Sequence, residues 1–191
     1  MKNFILFALR MSVGPGLCFA CFPPSANATT LERMSLERMS QLTKTIARVR
    51  CISNAIIWDS GEIWTVTTFD VEQTWRGTLP SQIRVRLLGG TLGGITSTVS
   101  GVPRFTPGEI AVLFLERTPR GDLSVVSWQQ GVFRVHRNNR GGDESVTQDT
   151  ASFATLDPRS RRMQTVGIIR MPLSEFRAEV ENAIAAPGGK P

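Results

Sequence analysis

The stretch "EIWTVTTFDVEQTWRG" (Glu62–Gly77) decides the fold class. It concentrates β-branched and aromatic residues with no internal proline or glycine. Such side chains lose χ1 freedom in a helix and pack well on a pleated surface, so a long β-strand is expected. Its apolar positions change phase between Val66 and Phe69, which points to a bulge or coil that bends the strand there.

Outward from this strand the period of two continues. In "TIARVRCIS" (Thr45–Ser53), Ala47, Val49 and Cys51 share one face, and Arg48 and Arg50 take the other. In "SQIRVRLLGG" (Ser81–Gly90), Ile83, Val85 and Leu87 read as inward and Arg84 and Arg86 as outward. "GEIAVLFLER" (Gly108–Arg117) is apolar on both faces, as a central strand is, and Pro107-Gly108 marks a tight turn before it. "DLSVVSWQQGVFRVHRN" (Asp122–Asn138) holds two further short strands, interrupted at Gln129–Gly131.

Helices are expected on either side. "LERMSLERMSQLTK" (Leu31–Lys44) sets Leu31, Met34, Leu36, Met39 and Leu42 near helical spacing, an amphipathic helix that would serve as a lid on the strands. Pro172-Leu173-Ser174 opens a second helix, which ends near Ala186 and is closed by Pro187-Gly188-Gly189. The polar, turn-rich residues 137–165 read as a mobile loop, and 188–191 as a disordered tail. Helix, five or six strands, loop and helix describe a mainly β domain, a small antiparallel barrel or sandwich.

The first residues, "MKNFILFALRMSVGPGLCFACFPPSANATT", pair a short positive start with an apolar run and the small residues Ala26 and Ala28. That pattern is a secretory signal over residues 1–28, too short and broken for a membrane span. The mature chain, 29–187, suits one domain with a sizeable core. Cys18 and Cys21 leave with the signal, so Cys51 stands alone and no internal disulfide is available. Without Lys2 and Arg10, 20 basic residues face 16 acidic ones, a net charge of +4. This modest balance permits anionic partners without predicting them, and nucleic acid is not expected.

The chemistry is best bounded by exclusion. "GGTLGGITSTVSGVPRFTPGE" (Gly89–Glu109) resembles a phosphate loop only in its glycines; no lysine follows Gly94, and "ITSTVSG" reads as a strand rather than a helix. Gly93 and Gly94 then serve a hairpin turn, on a rim with Arg104 where a partner could bind. His136 is the only histidine and Cys51 the only mature cysteine, too few for zinc, and no metal or other cofactor is expected. Asp143, Glu144 and Asp149 match no calcium-loop spacing. By strand parity Cys51 faces the core and His136 faces outward, which separates them as a nucleophile and base. Asp59, Glu62, Asp70 and Glu72 sit where turns or outward strand positions place ordinary charges. The outward arginines Arg48, Arg50, Arg84, Arg86 and Arg134 would form a basic wall if their strands were neighbours, with Trp64 or Trp128 beside it. Alternatively each covers and solubilises its own strand.

From Leu31 to Val135 the chain resembles a group of exported bacterial proteins of unassigned function. Val71–Gly77 carries their "V-x-x-x-(K/W)-(R/K)-G" strand end, and Pro103–Leu115 their "PRFxPGExxxLFL". The "V-E-x-x-W-R-G" step is more distantly similar to the netrin-like barrel of tissue inhibitors of metalloproteinases, an oligonucleotide/oligosaccharide-binding (OB) fold. The resemblance implies an OB-type barrel and a protease-inhibitor role. Those inhibitors bind the protease zinc through an N-terminal cysteine, whereas this mature chain would begin at Thr29. That mechanism therefore does not carry over. The expectation is an exported, non-catalytic binding module, periplasmic or extracellular, for another exported protein or an anionic or glycan surface of the cell envelope. A companion or inhibitor of a secreted protease acting without zinc chelation comes second, and a hydrolase using unidentified carboxylates third.

Overall fold

The computed structural model describes residues 33–137, 142–150, 155–156, 161, 163–164 and 167–186. The expected signal (1–28) and tail (188–191) lie outside the described residues, as do parts of the expected loop. The chain is mainly β. In order, α1 is Leu36–Leu42, β1 Thr45–Asp59, β2 Glu62–Arg76, β3 Gln82–Leu88, β4 Gly90–Leu92, β5 Ile95–Ser97, β6 Ile110–Arg117 and β7 Leu123–Val125. A 3₁₀ turn (Trp128–Gly131) precedes β8 Val132–Arg137, β9 Glu144–Gln148, β10 Thr155–Leu156, β11 Met163–Gln164, β12 Met171–Pro172 and α2 Leu173–Ala185.

One large sheet runs β1-β2-β3-β7-β6-β8-β9-β12, and β1 also pairs with β6. The pairings β1–β2, β2–β3, β3–β7, β7–β6 and β6–β1 therefore run in a circuit. The antiparallel expectation fails at one step: β3 and β7 pair in parallel, through Val85 and Leu123. Parallel neighbours need a crossover, and the chain from Gly89 to Arg117, including β6, supplies it. The hairpin β4–β5 forms a separate two-stranded unit.

β6 explains the layering. Ala111, Leu113 and Leu115 join Val49, Cys51, Phe69, Val85 and Val125 in an interior core. Val112 and Phe114 face the other way, into a second core with Met39, Ile46, Phe133, Val146, Phe176 and Val180. A strand apolar on both faces needs cover on both, and the helices provide the second layer. In α2, Phe176, Val180 and Ala183 are buried at helical spacing. Ser35 caps α1 by accepting from the Arg38 N–H at 3.1 Å, so the helix starts at Leu36 rather than Leu31. Met39 is its buried anchor, whereas Leu42, expected in the stripe, is exposed.

Two expectations need correction. β2 keeps one phase from Ile63 to Phe69: Ile63, Thr65, Thr67 and Phe69 are buried, and Trp64 and Val66 point outward. The apparent phase change arose because two threonines hold core positions. They are tolerated there because each hydroxyl is satisfied, Thr65 Oγ1 donating to the Gly89 carbonyl and Thr67 Oγ1 to Asn54 Oδ1, both at 2.7 Å. The irregularities lie elsewhere, where the β1–β2 register shifts between Ile46 and Ala47, Arg48 and Val49, and Cys51 and Ser53. The polar stretch read as a loop also contains β9, paired with both β8 and β12.

Candidate functional site

The outward positions of β2 and β3 put Trp64 opposite Leu88, Val66 opposite Arg86 and Thr68 opposite Arg84. The Arg86 guanidinium lies over the Trp64 ring, 4.6 Å from its centroid. Its Nη2 donates to Asp59 Oδ2 at 2.6 Å and its Nη1 to Asp122 Oδ2 at 3.3 Å. Asp59 ends β1 and Asp122 lies in the β6–β7 connection, so Arg86 clasps both loops to the sheet. Hydrogen bonds from Arg86 and then Ser60 hold the Asp59 carboxyl below its ordinary range.

Beside this clasp is the β3–β7 seam, where the ladder consists of one residue pair. A cleft of about 380 Å³ opens there, lined by Trp64, Arg86, Leu87, Leu88, Val102, Pro103, Thr118, Pro119, Arg120, Asp122, Ser124, Val125 and Trp128. Leu87, Val102 and Val125 also belong to the interior core, so the cleft is continuous with it. Trp64 Nε1 and Thr118 Oγ1 are buried with no hydrogen-bond partner among the described residues. Each such group costs about 1–3 kcal/mol. Ser127 and Trp128 both adopt left-handed backbone, with φ of 49° and 55°. That costs each roughly 1 kcal/mol or more and sets Trp128 at the cleft. The turn is held by Gln130, whose Oε1 accepts from the Met34 N–H at 2.9 Å and whose carbonyl accepts from Gln148 Nε2 at 2.7 Å. Two of the four buried, unpartnered side-chain atoms among the described residues, and the strained turn at Trp128, thus belong to residues lining one cavity; the other two, Ser40 Oγ and Thr43 Oγ1, lie at the end of α1.

Arg48, Arg50, Arg84 and Arg86 lie on strand faces turned away from the interior core, whereas Arg134 shares the face of Val132, so the outward expectation fails for Arg134 and the five form separate groups rather than one wall. Arg48 makes a two-pronged bond to Glu144 at 2.5 and 2.9 Å and donates to Glu72 at 2.7 Å; Arg50 also pairs with Glu72. The hydrogen bond to Glu144 is the largest influence on Arg48, whose pKa is raised. Glu144 is pulled down to about 2, chiefly by Arg48. For Glu72 burial acts upward, but the hydrogen bonds and charges of Arg48 and Arg50 together outweigh it and the pKa falls. Arg134 bonds Glu109, Asp149 and the Arg104 carbonyl and lies over Phe105. Arg104 donates to Thr65 Oγ1 and the Gly89 carbonyl, tying down the entrance to the β4–β5 hairpin. Arg84 is exposed on the β2–β3 face. Gly93 and Gly94 form the two-residue turn of that hairpin with φ of 57° and 81°, as a type I′ turn requires.

Cys51 is fully buried, and burial pushes its thiol upward, away from the thiolate a nucleophile needs. His136 is exposed. The parity used to separate them needs correction, since Val132, on His136's face of β8, joins the same core as Cys51. Their separation instead follows from burial of one and exposure of the other. No group of three or more His, Cys, Asp or Glu among the described residues could hold a metal. No helix among them is long and apolar enough to cross a membrane. Sequence reasoning noted Trp64, Trp128 and Arg86 but missed Val102, Pro103, Thr118 and Pro119, which come from separate loops with no shared local signal. Compared with protein-family models and with curated proteins, the chain matches none.

Proposed function

We propose that the five-strand circuit is an OB-type barrel and that the chain is an exported, non-catalytic binding module. The cleft at the β3–β7 seam is its contact site. The observation that carries this reading is the pair of buried, unpartnered polar atoms, Trp64 Nε1 and Thr118 Oγ1, in residues that line one apolar cavity. Placement supports it too. OB barrels bind on the face of strands 2 and 3 and through the loops joining strands 1–2 and 4–5. Here Trp64 and Arg86 lie on β2 and β3, and Asp59 and Thr118–Asp122 lie at the matching loops. The netrin-like resemblance points to the same fold.

Export rests on the leader sequence. A non-catalytic role is supported by carboxylates such as Asp59 and Glu72, which arginines hold ionised and which are therefore poor proton donors at neutral pH. Pairing of Arg48, Arg50, Arg86 and Arg134 with carboxylates engages four of the five arginines that would have formed a basic wall for a phosphate backbone. That favours another exported protein, or a cell-envelope surface, over nucleic acid. The test immobilises the full chain and captures partners from periplasmic extract, comparing wild type with Trp128→Ala and Arg48→Met. Capture lost in Trp128→Ala and kept in Arg48→Met is expected. Equal capture by Trp128→Ala and wild type would overturn the assignment of the cleft.

A further inference from the structure

We infer that the cleft takes an extended, uncharged peptide segment of a partner protein, which enters the open end of the β3–β7 seam and seats one large apolar side chain. This rests on the binding-module reading and names its ligand. β3 pairs with β2 as far as Leu88, but with β7 only at Val85. Arg86, Leu87 and Leu88 therefore have a strand partner on one edge alone. Across the gap Ser124 and Val125 pair with β6 but make no further ladder pair toward β3. Two strand edges thus face one cleft, the arrangement that accepts an added strand through main-chain hydrogen bonds.

The lining sets the chemistry of the side chain. Trp128, Leu88, Val102 and Pro103 surround a space of about 380 Å³, enough for an aromatic or leucine-sized group with its adjoining backbone. The charges at the rim cancel: Arg86 is held by Asp59 and Asp122, and Arg120 lies 3.6 Å from Asp59. No net charge remains to select an ionic ligand. What is unmet is one indole donor and one hydroxyl, and a peptide carbonyl and amide answer both. A free aromatic molecule would fill the volume but leave the two strand edges unpaired.

The test uses the ¹⁵N-labelled full chain and a blocked hexapeptide of alternating valine and threonine with one central phenylalanine. Its controls are the same peptide with glutamate for phenylalanine, and N-acetyl-phenylalaninamide. The Trp64 indole N–H, assigned by its absence in Trp64→Phe, is expected to move downfield on titration with the hexapeptide, together with the amides of Leu87, Leu88 and Val125. The Trp75 indole, already bonded to Gln73 at 3.0 Å, serves as the unmoved reference. Affinity is expected to fall at least tenfold in Trp128→Ala. Should that variant not fold, the glutamate peptide gives the same tenfold contrast on the wild-type chain. An unmoved Trp64 indole at millimolar hexapeptide overturns the inference. So does an equal response to N-acetyl-phenylalaninamide without change at the strand amides, which would indicate a small-molecule cavity. Partner capture that depends on Trp128 without any hexapeptide response sinks the peptide inference and leaves the binding-module reading standing.

Discussion

Replacing Glu144 by glutamine tests whether the polar segment around β9 is a bound part of the fold. Glu144 sits 96 residues from Arg48 yet accepts two hydrogen bonds from it and a third from Arg137. These hold its pKa at about 2, against an ordinary 4.5. At 1.36 kcal/mol per pH unit that gap sets a ceiling of about 3.4 kcal/mol on the linked stability. The side chain is 17 % exposed, and solvent screening reduces the expected contribution to about 2 kcal/mol. Because the folded-state pKa is depressed, the contribution is complete above pH 4.5 and drains away as pH falls to about 2. Urea unfolding followed by tryptophan fluorescence at pH 7, 5, 3 and 2 reads this directly. Glu144→Gln is expected to lie about 2 kcal/mol below wild type at pH 7, with the gap closing by pH 2. A gap that stays constant across the series would refute the reasoning, because ionisation would not be its cause.

Four further outcomes are expected. Phe133 lies 5.3 Å from Phe114 and 4.6 Å from Phe176 between ring centroids, so Phe133→Ala should cost about 3–5 kcal/mol by chemical denaturation. In Gly131→Ala the new methyl would strike the Val126 carbonyl and come within 2.9 Å of Val125 Cγ1, costing at least about 2 kcal/mol. Gly93→Ala meets nothing within 4 Å and should cost only its left-handed backbone, about 1 kcal/mol, both glycine variants being read by the same chemical denaturation. Cys51 should react with a thiol reagent only as fast as the chain unfolds, and rapid labelling of the native protein would contradict its burial.

Legibility in the sequence followed from how local each determinant is. Arg84 and Arg86 alternate with Ile83, Val85 and Leu87, and that pattern alone places β3 correctly. The doubled apolarity of Ala111–Leu115 announced a strand covered on both faces. Thr65 and Thr67 misled because a threonine reads as polar until its hydroxyl finds a partner, and the partners, Gly89 and Asn54, lie 24 and 13 residues away. β9 was hidden for a related reason. Of its residues only Val146 enters the core, and the segment is held by β8, β12 and charges on Arg48 and Arg134. The parallel β3–β7 step and the cleft were the least visible, since a seam between strands dozens of residues apart leaves no periodicity in either strand.

The two-sided burial of β6 also bears on how the chain reaches its fold. Most strands are seated by polarity, because a slip of one residue would drive charges into the core. From Ala111 to Leu115 a slip exchanges one apolar set for another and incurs no such penalty. Size must discriminate instead: alanine and leucines on the interior side, valine and phenylalanine toward the helices. Size is read only against a surface already in place, so β6 depends on the β1–β2 hairpin and on Phe133 as its template. Proofreading of the central strand is therefore by shape. Early collapse of this segment before its neighbours have set would trap a compact chain whose composition of buried groups looks right and whose register is wrong.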